Sequence, residues 1–181
     1  MTVSTGVSGP LRNAASRLAA PAVTLLLLLC VSILSASCMT LPRGVRVFVS
    51  DRGCTSDGVC PFGDGHPCNF YFPPTREIVI KPGQSCHVVA HELCHAHQHQ
   101  VILDETGREP ADLSLKEWYD TAEAAAYQGA VAAHPRPDDW RMSADTLLED
   151  FAEACGRFLV RDPDYPGEPN RDQFFRDRNF R

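Results

Sequence analysis

Lysine is almost missing from this 181-residue chain: Lys81 and Lys116 stand against fifteen arginines. The basic residues form no run, and the formal net charge is −6. An acidic chain without a basic stretch lacks the electrostatic footprint of a nucleic-acid binder. No CxxC pair occurs among the eight cysteines, which argues against a zinc site built from cysteines. No internal repeat is visible, and the length suits one domain.

What is present begins with an apolar run. Arg12 and Arg17 precede "PAVTLLLLLCVSILSASC", a stretch of signal-peptide length that ends in small residues. Residues 1–37 read as an export signal and 38–181 as the mature domain. A retained membrane anchor is the alternative, but the run is short for one and turns polar from Ser35. Cys38 follows "LSAS" as an imperfect lipobox, which makes it a candidate for lipid modification and membrane attachment. Beyond it stand six cysteines: Cys54, Cys60, Cys68, Cys86, Cys94 and Cys155. An even number in an exported chain suggests three disulfides.

Up to about Pro82 the pattern is short and rich in turns. "VRVFVS" (Val45–Ser50) and "EIVIKPG" (Glu77–Gly83) read as strands. Between them "DRGCTSDGVCPFGDGHPC" is turn chemistry tied by cysteine. The period then changes. Ser85 caps a predicted helix running to about Ile102. Ser114 and Glu117 have capping-box spacing, and a second helix is predicted from there to just before Pro135. A third covers about Ala144–Val160, and the tail is a loop that ends in a short helix. The fold class expected is α+β: a small N-terminal sheet with three main helices, braced by disulfides.

"VVAHELCHAHQH" (Val88–His99) carries the chemistry. His91 and His95 lie four residues apart, about 400° of helical rotation, so both imidazoles leave one side of the helix a turn apart. That spacing lets two nitrogens reach one tetrahedral Zn²⁺. Glu92 is turned by about 100° from His91. It stands near such a metal without being a stacked ligand, where a general base is needed. "HELCH" is thus an HExxH motif. The bland alternative is a solvated polar helix face. His97 and His99 are expected to be exposed or to act as outer partners. The long metzincin motif is excluded, because Gln98 and Val101 stand where glycine and histidine are required.

A third ligand must come from elsewhere. Glu149 and Glu153 in "EDFAE" form an i,i+4 pair. Glu149 would bind the metal, and Glu153 would accept the remaining N–H of a ligand histidine. Ala152 and Gly156 lie near that face and are small enough for two helices to approach closely. The structural alternatives are a capping box between Thr146 and Glu149 and an i,i+4 pair between Glu153 and Arg157. Glu123 is the other candidate ligand. Glu149 is preferred because it alone brings a second carboxylate at the right spacing.

"HELCH", followed some fifty residues later by "EDFAEAC", resembles the gluzincin clan of zinc metallopeptidases. "EDFAEA" is similar to the third-ligand helix of the anthrax lethal factor type and its small secreted bacterial relatives. The resemblance covers about Val88–Val160. It implies a zincin-like fold, Zn²⁺ held by His91, His95 and Glu149, Glu92 as base, Glu153 behind a histidine, and peptide or protein as substrate. It also implies a bacterial protein that is secreted or held on the outer face of the membrane. In zincins a strand just before the active helix edges the cleft, and "EIVIKPG" is expected in that place. The family sets an oxyanion-stabilising tyrosine shortly before the third ligand. "DDWRMSADTLL" contains none, so Tyr127, Tyr165 and His134 are the substitutes. With His95 and Glu149 on one metal, Cys94 and Cys155 come to similar depth and are expected to pair. The remaining four cysteines allow three pairings, of which Cys68–Cys86 with Cys54–Cys60 is preferred. The rival function is a non-catalytic, zinc-stabilised surface or secreted binding module.

Overall fold

A computed structural model describes residues 42–65, 69–108, 112–133, 147–161, 169–178 and 180. The segment expected to be an export signal and Cys38 therefore lie outside the described residues. Three strands form the sheet: β1 (Arg46–Val49), β2 (Phe70–Phe72) and β3 (Glu77–Ile80), in the order β1-β3-β2. The sheet packs on a small helical layer, which makes this an α+β domain braced by disulfides.

β2 is a strand that the sequence pattern does not disclose. "FYF" is three residues long, too short for period-two alternation to register. Its pairing with β3 is antiparallel, with Tyr71 opposite Ile78; β1 pairs with β3 in parallel. β3 is therefore the central strand, buried along its length. This corrects the expectation that "EIVIKPG" edges a cleft: it is hydrogen-bonded on both sides, and β2 is the edge on the helical flank. Side chains alternate across a strand. Tyr71, Ile78 and Ile80 face the main core, while Phe70 and Val79 face away. The Cys54–Cys60 loop is fastened to the sheet through buried Glu77. That carboxylate accepts from the Ser56 backbone N–H at 2.8 Å, bonds the Ser56 hydroxyl, and pairs with Arg46 at 2.8 Å.

α1 (Cys86–Thr106) runs through the middle of the domain. Ser85 caps it as expected, its hydroxyl accepting from the Val88 N–H. The helix ends a turn later than expected. Gly107 takes the left-handed conformation (φ 65°) that closes a helix, and its N–H bonds the Leu103 carbonyl.

The second predicted helix is two elements. Both bonds of the Ser114–Glu117 capping box form, but they cap a 3₁₀ segment, Leu115–Asp120. The chain is extended at Thr121, whose hydroxyl accepts from the Ala124 N–H and starts α2 (Ala122–Ala133). The break accompanies the burial of Trp118, which is fully enclosed and donates its indole N–H to Glu123. α3 (Leu147–Val160) is the third predicted helix, and the short tail helix is α4 (Pro169–Asp177). No helix among the described residues is long and apolar enough to cross a membrane.

α1 and α3 form the main helix pair. A Cβ added to Gly156 would meet the His91 backbone nitrogen at 3.0 Å and its Cα at 3.2 Å, so the absent side chain lets α3 reach the α1 backbone at the first histidine of the motif. The Cys94–Cys155 disulfide locks the same pair, with Cα atoms 6.2 Å apart and both residues fully buried. Closing a loop of 61 residues removes about 4 kcal/mol of chain entropy from the unfolded state in the loop-closure view. Cys54–Cys60 is also formed, and Cys86 is disulfide-bonded. Cys68, its expected partner, lies outside the described residues.

Behind α3 sits an aromatic core of Trp118, Tyr127, Phe151, Phe174 and Phe175. A buried polar network crosses it. Arg171 of α4 grips Asp150 through Nε at 3.1 Å and Nη2 at 3.3 Å, and the Tyr127 hydroxyl donates to the same carboxylate at 2.7 Å. The network holds α2 and α4 to the residue next to Glu149.

Candidate metal centre

α1 presents His91 and His95 one turn apart, with ring centroids 4.8 Å from each other. α3 brings Glu149 to both. Its Oε2 lies 3.4 Å from His91 Nε2 and 3.5 Å from His95 Nε2. One donor atom from each of the three residues falls within 4.8 Å of the other two, a group that could hold a metal ion. Glu149 keeps 38% of its side chain exposed, so the group opens to solvent on the α3 side.

The far sides of both rings are also held. His91 Nδ1 lies 3.4 Å from Glu153 Oε2, which His87 Nε2 approaches to 3.3 Å, and Arg157 bonds the other oxygen at 2.6 Å. Glu153 thus stands behind His91, and its expected structural pairing with Arg157 forms at the same time. His95 Nδ1 is 2.8 Å from the side-chain carbonyl of Gln98. The Gln98 amide in turn donates to the Leu148 carbonyl of α3 at 3.1 Å. Sequence reasoning missed Gln98 and His87. The signal available for them was spacing: Gln98 is three residues after His95 and His87 four before His91, each on the ligand face.

Glu92 is buried beside the group. Burial pushes its carboxyl pKa up, opposed by the nearby His95 and His91, and the Tyr71 backbone N–H bonds to it. The base candidate is therefore attached to the edge strand β2.

Charge within the group is strongly coupled. Burial works to lower the pKa of His91, but hydrogen bonds to Glu149 and Glu153 outweigh it and raise the ring to about 10. His91 and His95 hold the Glu149 carboxyl well below its usual range. Burial pushes Glu153 up, but His87, His91 and Arg157 prevail and it too is lowered. A histidine raised in the folded state stabilises fully below its unfolded pKa, near 6.5, and loses that contribution as pH rises through about 10. The lowered carboxylates contribute above their ordinary pKa of 4.5 and lose it in acid. Chelator-treated protein should therefore melt at progressively lower temperature as pH rises from about 6.5 toward 10. A bound metal must displace the same proton, so its affinity should rise over that interval. The gap between melting temperatures of metal-loaded and chelator-treated protein should widen with pH. A gap that stays constant or narrows would contradict the arrangement.

Several expected roles are corrected. Tyr127 is no oxyanion donor: it is fully buried, with its hydroxyl bound to Asp150 and Arg171. Tyr165 and His134 lie outside the described residues, as does Thr146. Glu123 is not at the metal group, because it bonds His97 at 3.0 Å and Trp118 at 3.1 Å. His97 is half-buried between Phe151 and Phe180. His99 is fully buried and hydrogen-bonded to the Tyr71 hydroxyl at 2.8 Å. Neither is an exposed residue; the packing of α1 on several sides takes both inside.

No protein-family model, curated protein or solved structure matches the chain.

Proposed function

We propose that the chain is an exported, zinc-dependent metallopeptidase of gluzincin type, with His91, His95 and Glu149 as ligands and Glu92 as general base. The observation that carries this is convergence. Two Nε2 atoms and a carboxylate oxygen meet beside a buried glutamate that is tied to a strand edge. With bonds of roughly 2.0–2.1 Å, the corners of a tetrahedral zinc site stand about 3.3–3.4 Å apart. The observed 3.4 and 3.5 Å separations suit that ion. A purely structural site has no need of the carboxylate at Glu92. Export is supported by the two inter-cysteine bridges and the bonded Cys86, which belong to an oxidising compartment.

Zinc held there would polarise a peptide carbonyl and acidify a water molecule. Glu92 takes the water proton as oxygen bonds to the carbonyl carbon, then delivers it to the departing amine as the C–N bond breaks. Glu153 and Gln98 keep both imidazoles turned with Nε2 toward the metal. An extended peptide could add beside β2, an edge strand whose Tyr71 N–H points to Glu92. In an antiparallel ladder the carbonyl of the same residue points the same way, toward an added strand.

The rival, a non-catalytic zinc-stabilised binding module, gains one point from Tyr127, whose hydroxyl is used in the core. Metal analysis combined with a casein or peptide-library assay separates them. The expected result is about one Zn²⁺ per chain, with cleavage that a chelator abolishes and zinc restores. Zinc without cleavage would favour the rival; no bound metal would end both readings.

A further inference from the structure

We infer that Gln98 is a positioning residue for the metal, in that the orientation of its single amide decides which nitrogen His95 offers. The inference rests on the metal-site reading. Gln98 is fully buried between α1 and α3, and both ends of its amide are in use. The Leu148 carbonyl can only accept a hydrogen bond, so the amide NH₂ must face it. The Gln98 carbonyl is then left facing His95 Nδ1, and it too can only accept. Nδ1 therefore carries the proton, and the lone pair of the neutral ring lies on Nε2, the atom 3.5 Å from Glu149.

The bridge does a second thing. Leu148 immediately precedes Glu149. One side chain thus ties the ring of one ligand to the backbone beside another, across the helix interface. His91 is oriented differently, by the charged Glu153. One ring leans on a carboxylate and the other on a neutral amide, so the group is steadied at both rings with only one added negative charge. Gln98 itself touches neither the reacting atoms nor the metal position, and its effect passes through His95.

The test compares wild type with Gln98→Met, which fills similar volume and bonds nothing, and Gln98→Glu, which keeps an acceptor for His95 but loses the donor to Leu148. Zn²⁺ affinity is measured by chelator competition, coordination geometry by the visible spectrum of the Co²⁺ form, and folding by melting after chelator treatment. Gln98→Met is expected to fold, to lose roughly 10–100-fold in Zn²⁺ affinity and to change the Co²⁺ spectrum. Gln98→Glu is expected to recover most of that affinity, even with a lowered melting temperature from its carboxylate facing the Leu148 carbonyl. Wild-type affinity in Gln98→Met, or Gln98→Glu binding no tighter than Gln98→Met, would overturn the inference. If Gln98→Met fails to fold, Gln98→Glu decides alone: affinity within about tenfold of wild type supports the role, and a larger loss sinks it. Wild-type protein that binds no metal would instead overturn the underlying metal reading.

Discussion

Glu92→Gln should leave zinc binding at the wild-type level and lower peptide hydrolysis by about 10²–10⁴-fold, the usual worth of a positioned general base. Glutamine has the same shape and its side-chain oxygen can still accept from the Tyr71 N–H, so the link between α1 and β2 survives. What disappears is the ability to take a proton. The exchange also removes a buried carboxyl whose pKa burial has pushed up. Burying a neutral, hydrogen-bonded amide costs less than burying a charge. The variant should therefore be at least as stable as wild type in thermal unfolding, the pattern expected when a residue serves activity at the expense of the fold. Unchanged hydrolysis would remove Glu92 from the mechanism. Lost zinc would show that it supports the ligands instead.

Glu149→Ala and Glu123→Ala should part in zinc affinity. Glu149 is partly exposed at the first turn of α3 and lies against both ligand histidines. Its removal should reduce zinc affinity by more than the roughly 10–100-fold of an outer partner. In chelator-treated protein the fold should also lose the pairing of Glu149 with His91 and His95, a loss reduced by solvent because the carboxylate is partly exposed, so the melting temperature should fall as well. Glu123 is more enclosed and bonds His97 and Trp118. Its removal leaves an indole N–H and an imidazole without their partner, at a cost on the order of 1–3 kcal/mol, while zinc affinity stays near wild type. Chelator competition and thermal melting on the same two samples measure both effects. If Glu123→Ala strips the metal and Glu149→Ala retains it, the proposed ligand set is wrong.

Much of the candidate site was legible because it lies within single helices. His91, Glu92 and His95 are placed relative to one another by a rotation of about 100° per residue. The same rule places Glu149 and Glu153. Capping chemistry was equally local: Ser85 starts α1, and the Ser114–Glu117 box forms. The box does not disclose that its helix is a short 3₁₀ segment. The break at Thr121 accompanies Trp118 entering the core, a long-range effect that no local signal carries. Gly107 was a signal present but unread, and it lengthens α1 by a turn.

The outer partners divide along the same line. Glu153 was visible because it shares a helix face with Glu149. Gln98 shares a face with His95, but its importance depends on the Leu148 carbonyl of another helix. Tyr127, a plausible oxyanion donor by residue type, is carried into the core by Arg171, 44 residues away in the chain.

The sequence by itself determined the α+β class, the helices α1 and α3, the paired histidines with their glutamate, and the acidic pair on α3. Each rests on a helical or strand period, or on a capping residue acting within a few positions. Only the tertiary structure decided the strand order β1-β3-β2, the edge that faces Glu92, the partners of His97 and His99, and the amide that orients His95. Those depend on which surfaces meet when α1, α3 and the sheet bury their apolar faces together. That meeting is set by packing between distant segments, by the missing side chain at Gly156 and by the Cys94–Cys155 bridge, none of which has a period along the chain.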